Sequence, residues 1–278
     1  MITSSSLIAE GARRLGSAAE ARTLLAHAAG VEVSRLALLD GIGEGALCDY
    51  RTLLARREAG EPVQYLTGRA AFRTIEVTVA PGVFIPRPET EVMTGWAIDQ
   101  LAGRPGPVVV ELCAGSGAIS AAIAAEAPGA RQYAVELSEQ AASVAAGNLA
   151  GTGVDLRVGD MADAFHELDG TVDLVIANPP YIPWEMWEHV AEEVRTHEPE
   201  LALFSGADGL DALRVVAVVA ARLLRPGGHV CAEHAEVQEE AVVQVFVDAG
   251  AFSAVSDHRD LAGRPRFVTG VRAANLAG

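Results

Sequence analysis

VVVELCAGSGAISAAIAAE, residues Val108 to Glu126, decides the fold. An apolar, β-branched run gives way to a short stretch of small residues and then to an Ala- and Ile-rich segment without a breaker. β-Branched residues fit a pleated strand and alanine favours a helix, so the stretch predicts strand, glycine turn, helix. In a parallel α/β sheet that turn lies at the carboxyl end of the strand, where ligands bind. Downstream the same alternation repeats. Apolar runs at QYAVEL, VDLRVGD, VDLVIA and HVCAEH are separated by Ala-rich or amphipathic stretches. The pattern predicts a doubly wound α/β domain with a mostly parallel sheet. Runs at about 251–256 and 266–271 are expected to close the sheet, with one strand antiparallel at its edge.

Upstream the period changes. ARTLLAHAAGV and YRTLLARREAG carry apolar residues at helical spacing, with Gly30 and Gly60 as stops and GIGEGALC as the loop between. Residues 1–67 are therefore expected to form a small helical docking unit. In residues 68–88, Ile75, Val77 and Val79 alternate with polar residues, APG reads as a turn, and VFI as a second strand. This predicts a β-hairpin linker. PRPETE then leads into a helix from about Glu89 to Leu101, with acids in its first turn. Residues 89–278 make up the α/β domain. No internal repeat or low-complexity segment is present.

Half of the 278 residues are hydrophobic, which is ordinary for a globular protein. All 21 basic residues are arginine, and the formal net charge of −16 disfavours a protein that must neutralise many phosphates. Cys48, Cys113 and Cys231 are scattered with no CxxC pair, which argues against a disulfide framework and structural zinc and fits a reducing cytosol. The start of the chain lacks a signal-peptide run, and no stretch has the length of a membrane span. A cytoplasmic monomer is the expectation, with no metal, membrane or nucleic acid.

The turn Cys113-Ala114-Gly115-Ser116-Gly117 is a poor pyrophosphate cradle, because the first and third glycines of a dinucleotide fingerprint are missing. Glu111 precedes it, and an acid there suits a nucleoside with an amino-acid tail, whose ammonium it can face. Glu136, ending the next strand, can accept hydrogen bonds from both ribose hydroxyls. Asp160 and Met161 end the third strand, where Asp160 can accept from an adenine amino group and Met161 pack on its face. The plain alternatives are a tight turn and a solvated turn acid.

IANPPYIP, Ile176 to Pro183, ends the fourth strand beside that loop. Prolines cannot continue a central strand. Planar amides and arylamines carry two N–H bonds and a delocalised lone pair. Two rigid acceptors, the Asn178 side-chain oxygen and the Pro179 carbonyl, would aim both N–H bonds. Pro180 stiffens the loop and Tyr181 offers a stacking face. Catalysis by Asn178, Pro179 and Tyr181 would then be positioning beside a reactive sulfonium, with no metal. An exocyclic base amine has the same shape, so a nucleic-acid N-methyltransferase is the competing reading; it needs a basic, aromatic-lined cleft.

Together these motifs resemble the HemK/PrmC family of methyltransferases over nearly the whole chain: EPVQYLTG (Glu61–Gly68), FIPRPETE (Phe84–Glu91), ELCAGSGAIS, AVELS, NPPYIP, EPELALFSGADGLD (Glu198–Asp211), LLRPGGHVCAEH and RPRF. The resemblance implies a seven-stranded Rossmann-like methyltransferase sheet using S-adenosylmethionine. Its implied substrate is the Gly-Gly-Gln glutamine of peptide chain release factors, methylated at N5. The loop with Glu136, Met161 and Asn178 would hold the cofactor; Asn178, Pro179, Pro180 and Tyr181 the glutamine; Phe84 and Arg87 would lie near cofactor or substrate; and Thr90 and Glu91 near the methionine end. The sequence departs from the family in two places. Glu111-Leu-Cys113 stands where the family has DxG, and the glycine usual after the fifth-strand acid is missing from EHAEVQ. Glu233 and His234 read as a structural pair. The segment Trp184–Glu200 reads as a helical flap whose Trp184 and Trp187 cover the site.

Overall fold

The computed structural model describes residues 2–274, which fold as two units. One comprises the chain up to Arg69 together with Ala191–His197; the other comprises Ala70–Val190 and Glu198 onward.

In the first unit, helices α1 (Ser4–Leu15), α2 (Ala18–Ala29), α3 (Glu44–Glu58) and α4 (Val63–Thr67) surround Leu7, Leu24, Leu25, Tyr50 and Leu54. Thr3 and Ser17 cap the starts of α1 and α2, and Gly16 and Gly30 end them in the left-handed conformation. Gly11 lets α1 approach α3 closely, since a Cβ there would overlap the Tyr50 hydroxyl; that hydroxyl donates to Leu7 O at 3.0 Å. α3 begins at Glu44, so Glu44–Cys48 of the expected GIGEGALC loop is helical.

The hairpin consists of β1 (Arg69–Phe72) and β2 (Ile75–Thr78). Its turn is Arg73-Thr74, not APG, and VFI forms no strand. Arg73 takes φ 52°, a conformation its sequence does not advertise. Its guanidinium is held by Glu126 at 2.9 and 2.6 Å and by Glu91 O at 2.9 Å. Helix α5 (Pro88–Leu101) follows, with proline in its first turn.

The main sheet has the order β5-β4-β3-β6-β7-β9-β8. Its strands are β3 (Val108–Leu112), β4 (Arg131–Glu136), β5 (Asp155–Val158), β6 (Val172–Ala177), β7 (Leu224–Glu233), β8 (Phe252–Arg259) and β9 (Pro265–Arg272). Helices α6 (Ala118–Glu126), α7 (Glu139–Asn148), α8 (Glu192–His197), α9 (Asp211–Leu223) and α10 (Glu239–Asp248) connect them, α8 lying in the segment that joins the first unit. The seven-stranded, mostly parallel α/β fold is as expected. The antiparallel strand is not at the edge, however: β9 pairs with both β7 and β8. β9 is the more apolar of the two and largely buried, whereas β8 is mostly half-exposed, so burial favours β9 inside. β3 is buried throughout, and the core continues through Leu112, Val175, Val216, Val230 and Phe246. No helix among the described residues is long and apolar enough to cross a membrane.

Candidate active site

β3, β4 and β6 are parallel neighbours, so their carboxyl ends share one edge. The β3–α6 turn takes positive φ at Cys113 (60°), Gly115 (55°) and Gly117 (77°). At Gly117 the glycine also avoids Ala145 and Leu149, each 3.2 Å from an added Cβ. Cys113 thus adopts a left-handed backbone that glycine takes more readily. Its Sγ lies 3.5 Å from Met161 Sδ, and burial pushes its thiol pKa up, away from thiolate chemistry.

Glu136 holds the turn in place. Its two carboxylate oxygens accept from Gly115 N at 2.7 Å and Ser138 N at 2.8 Å, which leaves further lone pairs. Asn148, on α7, donates to Ser116 O at 2.8 Å; no local sequence signal marks this brace. Asp160 accepts from Ala162 N at 2.9 Å through one oxygen.

Glu111 is 1% exposed. Its Oε2 accepts from Ser120 N at 2.9 Å and from the Ser120 hydroxyl, while Oε1 has no partner. Burial pushes its pKa up to about 8, with Ser120 opposing and Glu136 adding to the rise. Glu111, Cys113 to Ser116, Glu136, Asp160 and Met161 line one cavity of about 400 Å³ that also takes in Phe84, Thr90, Asn178, Pro180, Tyr181, Ile182 and Leu201–Leu203. An orphaned, buried carboxylate oxygen at one end and Glu136, Asp160 and Met161 farther along suit a nucleoside with a cationic tail.

Across the cavity, Asn178 Nδ2 donates to Thr90 Oγ1 at 3.2 Å, and Thr90 Oγ1 donates to Glu233 Oε2 at 2.6 Å. Glu233 Oε1 accepts from the Tyr181 hydroxyl at 3.0 Å. Burial beside Glu233 raises the Tyr181 pKa well above its ordinary value. The Tyr181 carbonyl accepts from Gln238 Nε2 at 2.9 Å, and Gly209 passes beneath it, where a Cβ would overlap the carbonyl oxygen.

The structure thus brings Glu111, Cys113 to Ser116, Glu136, Asp160, Met161, Phe84, Asn178, Pro180 and Tyr181 to one cavity, while Gly117 packs behind its wall against Ala145 and Leu149. Pro179 is buried and not part of the lining. Arg87 is also off the wall. Its guanidinium pairs with the buried Glu198 and lies 4.7 Å over the Phe84 ring. Trp184 and Trp187 stack around Phe204, Trp184 at 4.7 Å and Trp187 at 5.1 Å. Leu201–Leu203, not the tryptophans, line the cavity there. Among the described residues no cluster of His, Cys, Asp and Glu could hold a metal ion.

Comparison with known proteins agrees with this geometry. Residues 6–68 match the model of the PrmC N-terminal domain and residues 74–195 that of the methyltransferase small domain. A release factor glutamine methyltransferase of Streptomyces coelicolor is 54% identical over 226 residues, 81% of this chain and 80% of that protein. Another from Mycolicibacterium smegmatis is 44% identical, covering 92% of this chain and 90% of the relative. A 4-amino-L-phenylalanine/4-methylamino-L-phenylalanine methyltransferase of Streptomyces pristinaespiralis is 41% identical, covering 92% and 86%. A methyltransferase structure from Pyrococcus furiosus shares the fold, with a TM-score of 0.50 at 17% identity over 80% of this chain and 98% of that one. With its sheet, glycine turn and NPPY loop in place and relatives of this identity along most of its length, the chain is a methyltransferase and belongs to the release factor glutamine methyltransferase family.

Proposed function

We propose that the protein transfers a methyl group from S-adenosylmethionine to the side-chain N5 of the glutamine in the Gly-Gly-Gln motif of peptide chain release factors. The observation that carries this reading is the Asn178 amide, which lines the cavity with its nitrogen engaged by Thr90. Its oxygen is the acceptor a planar N–H₂ group needs.

The cavity residues fit the donor. Glu111 Oε1, buried and unpartnered, suits the ammonium; Glu136 suits the ribose; Asp160 and Met161 suit the adenine. The donor supplies an electrophilic methyl on a sulfonium. The protein's own residues do the rest. Asn178 Oδ1 accepts one N–H bond from the cavity wall; the Pro179 carbonyl, behind that wall in this structure, would have to turn inward to accept the other and so aim the nitrogen lone pair at the methyl. Tyr181, tied to Glu233, presents its ring to the planar group. As the N–C bond forms and S–C breaks, one N–H proton leaves to water. The first unit would help hold the release factor in the cytoplasm, and the enzyme would act as a monomer without nucleic acid.

The Streptomyces pristinaespiralis relative supports a second reading, an arylamine amino acid as acceptor, since an aniline nitrogen meets the same two acceptors. The test is methyl transfer from labelled S-adenosylmethionine to purified release factor, 4-amino-L-phenylalanine and duplex DNA in parallel, with peptide mapping. Label on the Gly-Gly-Gln glutamine that is lost with Asn178→Ala is the expected result. Label on the aniline alone moves the protein to the second reading, and label on DNA alone refutes both.

A further inference from the structure

We propose that Glu233 is a positioning residue: it sets which end of the Asn178 amide faces the acceptor. This rests on the proposed transfer to a planar N–H₂ group. An asparagine amide has nearly the same shape either way round, so packing does not choose between its two orientations. The chemistry does depend on the choice. One orientation accepts the substrate's N–H; the other sets N–H against N–H.

The choice is made by a chain of protons that ends at Glu233. A carboxylate only accepts. Thr90 Oγ1, 2.6 Å from Glu233 Oε2, must spend its single hydrogen there. Thr90 therefore meets Asn178 with a lone pair, and at 3.2 Å Asn178 answers with Nδ2. Oδ1 is left for the acceptor. The other oxygen of the same carboxylate takes the Tyr181 hydroxyl at 3.0 Å, so the amide and the ring are both fixed from one buried group. The sheet places it: Ala177 pairs with Ala232, so Asn178 and Glu233 leave neighbouring strands at the same level. Thr90 comes from the first turn of α5 and is buried.

A neutral glutamine at position 233 would make the same number of hydrogen bonds without burying a charge. It would also carry a donor, and a donor to Thr90 reverses every proton down to Asn178. The carboxylate is the group that admits only one arrangement. Protonation would remove that property. Burial raises the Glu233 pKa, with the Thr90 and Tyr181 hydroxyls and Arg266 of β9 pulling it down and Glu89 of α5 pushing it up. Arg266 also pairs with Asp260 at 3.3 Å, and Arg87 acts on Tyr181. Activity therefore falls on the acid side as Glu233 takes up its proton.

The test uses whichever acceptor the wild type labels, release factor or 4-amino-L-phenylalanine, with thermal melts of every variant. Glu233→Gln is expected to lower kcat about 100-fold, to leave KM for S-adenosylmethionine unchanged, and to abolish the acid limb of the pH profile. Thr90→Val is expected to match it, and Thr90→Ser, which keeps the hydroxyl, to stay near wild type. The Glu233→Gln/Thr90→Val double variant should be no slower than the slower single. Wild-type kcat in Glu233→Gln, a double variant slower by the product of the two single losses, or Thr90→Ser as slow as Thr90→Val overturns the proposal while leaving the proposed function standing. Should Glu233→Gln not fold, the Thr90 pair decides. A wild type that labels neither acceptor refutes both.

Discussion

On the proposed role of Glu111 at the donor's ammonium, affinity for the methyl donor is a function of pH, and the size of the effect follows from the residue's surroundings. The side chain is 1% exposed, its Oε1 is without a partner, and its pKa stands at about 8. An α-amino group titrates at about 8 as well. The favoured pair, carboxylate with ammonium, holds one proton between the two groups. Below pH 8 both partners arrive protonated and binding releases a proton; above it both arrive deprotonated and binding takes one up. Affinity should therefore peak near pH 8 and weaken by roughly 25-fold between pH 8 and pH 6. Titration calorimetry with S-adenosylhomocysteine at pH 6, 7, 8 and 9, each in two buffers of different ionisation enthalpy, measures both the affinity and the proton count. In Glu111→Gln the pH dependence should shrink to that of the ligand's own amine, and affinity at pH 8 should fall by about 10- to 100-fold, the worth of one charged hydrogen bond. The free protein gives an independent check. The folded pKa of Glu111 is raised above its unfolded value, so its contribution to stability is full below about pH 4.5 and is lost as pH rises toward 8. Glu111→Gln removes that slope. Equal wild-type affinity at pH 6 and pH 8, with no proton released, would refute the reasoning.

Substitutions at three positions test the frame around the site. Gly209→Ala places a methyl against the Tyr181 carbonyl at φ 76°; it should lower the melting temperature by several degrees and slow turnover more than it changes donor affinity, as seen by melting and steady-state kinetics. Arg87→Ala removes the cation paired with Glu198, whose side chain is 2% exposed. Breaking a buried pair costs about 3–5 kcal/mol, and urea unfolding at pH 7 should show it. At Cys113, held at φ 60°, Gly should be tolerated within about 1 kcal/mol, because relief of left-handed strain offsets the greater flexibility of the unfolded chain. Val at the same place should destabilise by more than 2 kcal/mol, its β-branch clashing with the left-handed backbone; denaturant titration ranks the three.

The centre of the sheet was legible because β3, β4 and β6 are apolar runs and a helical period follows β3 and β4. The glycine turn and the NPPY loop were legible because few residue types tolerate their backbones. The hairpin was not: Arg73 takes a left-handed conformation through Glu126 and the Glu91 carbonyl, contacts far away in sequence. Order at the sheet edge was hidden too, since local pattern shows strands and not neighbours. Glu233 and His234 looked like one pair in the sequence, but successive residues along an extended chain point to opposite faces. Glu233 meets Thr90 and Tyr181, while His234 meets Asp257 at 2.9 Å. An acid ending an apolar strand next to the NPPY strand was the available signal, and the strand order needed to use it came only with the fold. Arg87 read as a substrate contact because its motif did; its partner Glu198 lies too far along the chain to be seen from it.

β9 is made after β8 yet lies between it and β7. During synthesis the outer edge of β7 therefore stays open until Pro265–Arg272 exists, a row of unpaired peptide groups on an apolar strand. That interval is when one growing chain is most apt to zip onto another. On the proposed role of Glu233 it is also an interval without function, because Glu233 has its strand partner, Phe267, only once β9 is in place. The enzyme acquires its chemistry at the closing stroke of its own assembly, and a chain halted short of that strand has a pocket without a working edge.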